Sequence, residues 1–319
     1  MKIVILDAGT LGADVDLSPL HDLGEVVSYE NTPTEQIRHR LQGADVCVVN
    51  KLKLNESNLH GTGLRLICEA ATGYDNIDLA YCREVGIAVC NVPGYSTHSV
   101  AQLTLAMALS LANHLPVYRE FVHSGAYSNQ AVANRLVPVW HELAGQTWGI
   151  VGAGNIGSRV AHLAESLGCK VIVCRRKQDP RYETVDLDTL CQRADIISVH
   201  LPLSQETRGI IDARRIDLMK PGALFINVAR GAVVDEEALT RAVESGRLGG
   251  IGIDVFSVEP LPSDHPYHRI LDRDNVCLTP HTAWGSYEAR CRCVREMAEN
   301  ARSFFAGETR NRVETGSSR

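Results

Sequence analysis

Three residues in the C-terminal half of the chain could together deliver a proton to a carbonyl oxygen: Arg230, Glu259 and His281. Each stands just past a short apolar run, at residues 224–228, 253–255 and 276–278. A guanidinium forks onto a carboxylate and polarises a neighbouring ketone. An imidazole donates a proton to the alkoxide that forms. A carboxylate beside the imidazole orients the ring and favours its charged form. Reduction of a 2-keto acid needs that set. Arg230 would bind carboxylate and carbonyl, His281 would donate the proton, and Glu259 would orient His281. Singly, each is an ordinary salt-bridge or turn residue, so the argument rests on their shared position after strand-like runs.

The element that must position this chemistry is residues 147–176. Thr147-Trp148-Gly149-Ile150-Val151 suits a buried strand. Gly152, Gly154 and Gly157 then form G-x-G-x-x-G, and Ile156, Val160, Leu163, Ala164 and Leu167 recur at helical spacing before Gly168. A second strand follows at residues 170–174. Glycines in such a strand-turn-helix-strand unit let a dinucleotide pyrophosphate approach the backbone, and the helix N-terminus holds the phosphates. An acidic residue after the second strand would grip the ribose hydroxyls of NAD. This chain has Arg175-Arg176-Lys177 there. An arginine can fork onto a 2′-phosphate, so NADP(H) is the expected cofactor from Arg175 and Arg176, with NAD(H) possible. Asp254, between Ile253 and Val255, is placed to accept a hydrogen bond from the nicotinamide carboxamide.

The rest of the chain alternates strands and helices. Residues 2–6, 44–49, 64–68 and 86–90 read as strands, with helices at 33–42 and 77–84, which predicts a small parallel sheet. Two turns at strand ends, Asn50-Lys51 and residues 71–76, face the edge where open parallel sheets bind ligands. Backbone amides near Thr72, Gly73 and Tyr74 could take a carboxylate, assisted by Lys51. A breaker at residues 91–95 precedes an apolar helix at 100–111. Residues 115–145 are less regular, carry Phe121, Tyr127 and Trp140, and suggest a subunit-contact arm. Strands at 195–200, 223–228, 250–255 and 276–278 then alternate with helices at 212–219 and 235–244. A final helix at 286–305 is expected to pack back on the first domain, and the polar tail at 307–319 to fray.

The fold expected is α/β: two doubly wound parallel-sheet domains, a Rossmann cofactor domain inserted in a flavodoxin-like substrate domain. The substrate domain would comprise residues 1–98 plus 287–319, and the cofactor domain residues 99–286. Length and composition agree. The chain has 319 residues, 45% hydrophobic and 22% charged, as in ordinary soluble proteins. A net charge of −6 gives no reason to expect nucleic acid or an anionic membrane as partner. No stretch suits a membrane span, and the N-terminus reads as a first strand rather than a signal peptide. The ten cysteines lie mostly in apolar runs, without C-x-x-C. A reduced, cytoplasmic chain with no metal site is expected.

Seven segments in order resemble the D-isomer-specific 2-hydroxyacid dehydrogenases over nearly the full length. They are residues 71–78 (ATGYDNID), 152–157, 219–223 (MKPGA), 227–231 (NVARG), 252–256 (GIDVF), Glu259-Pro260 and Thr279-Pro280-His281. The resemblance implies Arg230, Glu259 and His281 as the catalytic set and Gly73 near the substrate carboxylate. It implies cofactor contacts at Thr104, Asn155, Ile156, Pro202, Thr207, Val228 with its neighbour Ala229, and Asp254. Arg175 replaces the family's usual acidic residue. Asn50-Lys51, residues 91–102 and residues 281–284 resemble the glycerate dehydrogenase or hydroxypyruvate reductase branch. A small substrate such as hydroxypyruvate or glyoxylate, a D-2-hydroxy acid product and a homodimer through the cofactor domain are what this implies. Tyr74 and Trp284 could line a small pocket or one for bulkier aryl or branched 2-keto acids. A dinucleotide-sensing protein like the family's corepressor relatives is the alternative from another class.

Overall fold

The computed structural model describes residues 1–315 and divides into two compact units. The first comprises Met1–Ser96 and Gly285–Arg319, the second Thr97–Trp284. Each is built on a parallel sheet.

In the first unit, β1 (Lys2–Ile5), β2 (Glu25–Ser28), β3 (Val46–Val49), β4 (Leu66–Glu69) and β5 (Ala88–Cys90) stand in the order β2-β1-β3-β4-β5. All neighbours are parallel. That is the flavodoxin-type order, whose switch point falls between β1 and β3. Val46–Val49 and Leu66–Glu69 are buried along their whole length, as strands covered on both faces must be. The helix Tyr287–Phe305 packs on β4, capped by Ser286, whose side chain accepts from the Ala289 amide.

The tail departs from expectation. Residues 307–315 are placed against β5: Cys90 and Arg312 form an antiparallel bridge, and the Val313 amide donates to the Val89 carbonyl at 2.9 Å. Glu314 is buried, accepting from the Val89 amide at 2.9 Å and pairing with Arg312. Polar composition predicted fraying, but its charged groups find fixed partners on an edge strand. Residues 316–319 lie outside the described residues.

The second unit contains β6 (Thr147–Val151), β7 (Lys170–Cys174), β8 (Glu183–Thr184), β9 (Ile196–Val199), β10 (Leu224–Asn227), β11 (Gly250–Ile253) and β12 (Val276–Leu278). Their order is β12-β11-β10-β9-β6-β7-β8, again all parallel. The connection reverses between β6 and β9, the crevice where doubly wound sheets bind dinucleotides. The helix Thr97–Ala112 lies against β10 and β11. Glycines make that approach possible: a Cβ at Gly252 would stand 3.0 Å from Met107 Cβ, and one at Gly250 3.1 Å from Leu111 Cδ2. Trp148, Phe225 and Tyr267 are among its largest fully buried side chains, each worth about 1.5–3 kcal/mol in burial.

Residues 115–140 take a more regular form than their sequence suggested. Leu115–His123 is a helix, separated from Thr97–Ala112 by His114 in the left-handed region at φ 51°. The segment beyond it is pinned by Tyr118 Oη donating to Pro138 O at 2.7 Å and Tyr127 Oη donating to Ala133 O at 2.9 Å. Among the described residues no single helix is long and apolar enough to cross a membrane, and the ten cysteines are free thiols.

Candidate active site

The glycine loop leaves β6 and turns into the helix Asn155–Ser166. Gly152 is in the left-handed region at φ 94°, where a side chain would also strike the His200 carbonyl of the neighbouring loop. Gly157 fits the helix tightly to the strand: a Cβ there would lie 2.1 Å from the Gly152 carbonyl oxygen. Gly154 differs, since a Cβ would meet nothing within 4 Å. Gly154 and Asn155 are exposed at the helix start, where amides have no partner inside the helix. Tight packing behind and open space in front suit a dinucleotide pyrophosphate, so these residues fit the group. Ile156 and Val228 belong to the apolar cluster on which the glycine helix packs, whereas Ala229 is buried in the second cluster of this unit.

Arg175 follows β7. Its Nη1 donates to Asp179 Oδ2 at 2.6 Å. Asp179 is itself fixed, because Oδ1 accepts from the amides of Arg181 (2.9 Å) and Tyr182 (3.3 Å). The Arg181 amide and then the Arg175 guanidinium hold the Asp179 carboxyl below the usual range. The guanidinium has five donors, and this contact uses one. Arg176 lies beside Glu206 electrostatically. Sequence reasoning named both arginines and missed Asp179, whose spacing of four from Arg175 was its available signal.

Two residues that the family resemblance assigns to the cofactor are buried. Thr104 is fully buried, its hydroxyl donating to Val100 O at 2.8 Å within the helix. Thr207 closes its own loop, donating to Pro202 O at 2.7 Å and accepting from the Ser204 amide at 2.8 Å. Behind them, Trp148 Nε1 donates to Ser198 Oγ at 2.9 Å, and Ser198 Oγ lies 2.9 Å from His200 Nε2. A hydroxyl has one proton and two lone pairs, so Ser198 Oγ accepts from Trp148 and can either donate to or accept from Nε2, which leaves Nδ1 as the ring nitrogen this pair does not use. That nitrogen is shut off from solvent and from any partner, and burial pushes the His200 pKa down to about 3.

The edge formed by the C-terminal ends of β10, β11 and β12 gathers the three chemical residues. Arg230 follows β10 in a turn closed by Asn227, whose Oδ1 accepts from the Ala229 amide at 3.0 Å and whose Nδ2 donates to Arg230 O at 2.9 Å. Glu259 follows β11, and its Oε1 accepts from the Phe256 amide at 3.0 Å. His281 follows β12 with φ 53°, a conformation few non-glycine residues adopt. Its Nδ1 stands 2.6 Å from Glu259 Oε2. A carboxylate only accepts, so Nδ1 carries a proton toward Glu259.

Asp254 explains the unusual backbone at His281. It is fully buried; Oδ1 accepts from Thr279 Oγ1 (2.5 Å) and the Thr282 amide (2.8 Å), and Oδ2 from the Ala283 amide (2.9 Å). The His281 amide donates to Asp254 O at 2.8 Å. Both carboxylate oxygens therefore brace the turn that presents the imidazole. Trp284 ends the turn and packs on the apolar cluster beneath the glycine helix.

The first unit holds a separate set along the edge of its own sheet. Lys51 follows β3 at the switch point, its amide donating to Asp7 Oδ2 at 2.7 Å. Thr72, Gly73 and Tyr74 form the turn after β4, with Thr72 Oγ1 donating to Val92 O at 2.9 Å. Asn76 ties these loops together, donating from Nδ2 to Leu52 O and to Glu69 Oε2, each at 3.1 Å. Burial pushes the Glu69 carboxyl well above the usual carboxylate range. Glu69 had no signal in sequence beyond an acid at the end of an apolar run.

A family model described as D-isomer specific 2-hydroxyacid dehydrogenase, NAD binding domain, matches residues 105–283. The chain is 33% identical over 330 residues to a hydroxypyruvate reductase of Blautia hydrogenotrophica, covering 98% of this chain and 99% of that one. It is 35% identical over 316 residues to a glycerate dehydrogenase of Methylorubrum extorquens, with coverage of 98% and 99%. Among solved structures, an acyclic imino acid reductase in complex with NADPH and D-arginine superposes with a TM-score of 0.86 at 28% identity, over 98% of this chain and 100% of that one. With a parallel sheet whose switch point carries the glycine loop, these likenesses show that the chain belongs to the D-isomer-specific 2-hydroxyacid dehydrogenases, oxidoreductases with a nicotinamide dinucleotide-binding domain, in their glycerate dehydrogenase and hydroxypyruvate reductase branch.

Proposed function

We propose that the protein reduces a small 2-keto acid of the hydroxypyruvate or glyoxylate type to the D-2-hydroxy acid, with NADPH preferred over NADH. The observation that carries this is the 2.6 Å contact between Glu259 and His281 Nδ1 on the same sheet edge as the glycine loop. Arg230 takes the substrate carboxylate in its fork and polarises the ketone oxygen. His281 gives the proton on Nε2 to that oxygen as negative charge develops. Glu259 offsets the positive charge of the imidazolium before transfer and keeps the ring in register. The bound nicotinamide supplies the hydride that completes the C–H bond.

In this proposal residues 99–286 hold the cofactor, with Arg175 and Arg176 around the 2′-phosphate and Asp254 beside the nicotinamide. Residues 1–98 with 287–319 contribute Lys51 and the Thr72–Gly73–Tyr74 turn to the substrate. The names of the curated relatives support the substrate class, and the NADPH carried by the imino acid reductase is compatible with the cofactor choice. A homodimer through the second unit belongs to the same proposal. Among the described residues, eight of the fourteen exposed large apolar side chains fall between Leu115 and Trp140, led by Leu136 at 75% exposure, a concentration that suits a second copy of the chain.

The test is turnover of hydroxypyruvate by a His281→Asn enzyme. Loss of a general acid lowers kcat by about 10²–10⁴-fold, while NADPH affinity should stay within about twofold because the glycine loop is untouched. Undiminished turnover would remove His281 as the proton donor.

A further inference from the structure

The Glu259 loop emerges into solvent. Residues 257–260 are exposed and lie in neither strand nor helix. Yet the Glu259 carboxylate is held 2.6 Å from His281 Nδ1, which demands a fixed backbone beneath it. The bracing comes from a second, buried histidine–glutamate pair. Glu236 stands in the first turn of the helix Glu236–Glu244, and its Oε1 accepts from the Ser257 amide at 2.9 Å. Its Oε2 lies 2.9 Å from His265 Nε2. The side chains are only 5% (His265) and 8% (Glu236) exposed, so neither has a bath of water as an alternative partner.

The hydrogen bonds define the arrangement completely. His265 caps the turn Pro266–Ile270, where Nδ1 accepts from the Tyr267 amide at 3.2 Å. Nδ1 is therefore the acceptor and Nε2 the donor to Glu236. The ring is walled in by Phe256 and Tyr267, with centroids 6.2 and 4.8 Å away. A buried carboxylate that loses a donor is strongly destabilising, so Ser257 cannot leave Glu236 cheaply. The adjoining amide, that of Phe256, is the one that holds Glu259 Oε1. The same stretch is pressed from the other side by Gly231, next to Arg230: a Cβ there would lie 1.9 Å from the Phe256 carbonyl carbon and 2.1 Å from the Ser257 nitrogen. Residues 256 and 257 thus join the Arg230 turn, the Glu259 carboxylate and the buried pair.

We propose that Glu236 and His265 are positioning residues for the reaction, setting the alignment of Glu259 on His281 through the backbone of Phe256 and Ser257. This rests on the assignment of Glu259 and His281 as the proton-transfer pair. The experiment compares wild-type, His265→Asn, Glu259→Gln and the double variant, each saturated with NADPH and hydroxypyruvate. Asparagine still caps the turn by accepting from the Tyr267 amide, but it cannot reach Glu236. The expected result for His265→Asn is a kcat lower by about 10–100-fold, with KM for NADPH, and NADPH affinity read from tryptophan fluorescence, within about twofold of wild-type. In the Glu259→Gln background the same substitution should change kcat by less than about twofold, since the group it aligns is gone.

Wild-type kcat in His265→Asn beside a crippled Glu259→Gln overturns the proposal alone. So does an equal loss of kcat in both backgrounds, which marks a merely structural role. Undiminished kcat in Glu259→Gln overturns the proton-transfer assignment and this proposal with it. If His265→Asn does not fold, Glu236→Gln, which keeps an acceptor for the Ser257 amide and lacks the charge, is read by the same criteria.

Discussion

Replacing Arg175 by alanine should change which nicotinamide cofactor the enzyme uses, and the structure bounds the size of the effect. The guanidinium is about one-third exposed at 31% and is anchored to Asp179 by one of its five donors. At about 4 Å from a 2′-phosphate, a unit charge pair is worth about 1 kcal/mol in water and about 4 kcal/mol at an effective dielectric near 20. A partly exposed arginine sits toward the lower end, about 2 kcal/mol, which is roughly a 30-fold effect. Its removal also strands the Asp179 carboxylate near the phosphate, which acts in the same direction. NADH lacks the 2′-phosphate and should feel neither term. The assay is initial rate with hydroxypyruvate at equal NADPH and NADH, for wild-type, Arg175→Ala and Arg175→Ala with Asp179→Asn. The ratio of kcat/KM for NADPH over NADH should fall by roughly 30-fold in the single variant and recover in part in the double. A ratio that does not move, or a parallel loss with both cofactors, refutes the clamp.

Two further outcomes follow from groups away from the chemistry. His200, with a pKa near 3 in the fold, stays neutral there while an unfolded histidine protonates below about 6.5. The unfolded state therefore binds more protons between these values, and stability falls as pH drops from about 6.5 toward 3, by about 2 kcal/mol at pH 5. Urea unfolding at pH 7 and pH 5 should show a smaller pH dependence in His200→Gln by that amount, and equal dependence would contradict a His200 kept neutral by burial. In the exposed segment, Leu136→Lys combined with Trp140→Ala should convert a dimer to a monomer by sedimentation velocity, whereas a monomeric wild-type protein would remove the subunit-contact role.

The parts of the fold that sequence could show are those in which one local pattern does the work. A strand, three glycines at fixed spacing and a helical repeat are all contained in residues 147–168, and the structure builds β6, the loop and the helix Asn155–Ser166 there. Elements with a weaker local pattern escaped. β2 (Glu25–Ser28) has both ends exposed and reads as polar, and β8 has two residues. The helix Leu115–His123 was hidden because the break before it is made by a histidine, not by glycine. Residues 307–315 looked disordered because their partners, Val89 and Arg83, lie more than 200 positions earlier.

The same distinction governs the site. Parallel strands place their C-terminal ends on one edge, so a residue type that follows β10, β11 or β12 can be assigned to that edge without knowing any contact. That is why Arg230, Glu259 and His281 could be placed on one edge from the sequence. What holds them in register was not, because bracing is made by pairs distant in sequence. Asp254 supports the His281 turn from 27 positions away, and Glu236 meets His265 across 29. Position after a strand selects which groups can meet, with neighbouring strands about 5 Å apart. A proton donor needs its partner within hydrogen-bond reach, a finer tolerance than strand spacing supplies. The finer placement comes from buried carboxylates whose oxygens are satisfied by backbone amides, as at Asp254 and Glu236. In sequence such residues look like ordinary acids beside apolar runs. They stand apart only when the amides they hold are seen to belong to the segments that carry Glu259 and His281.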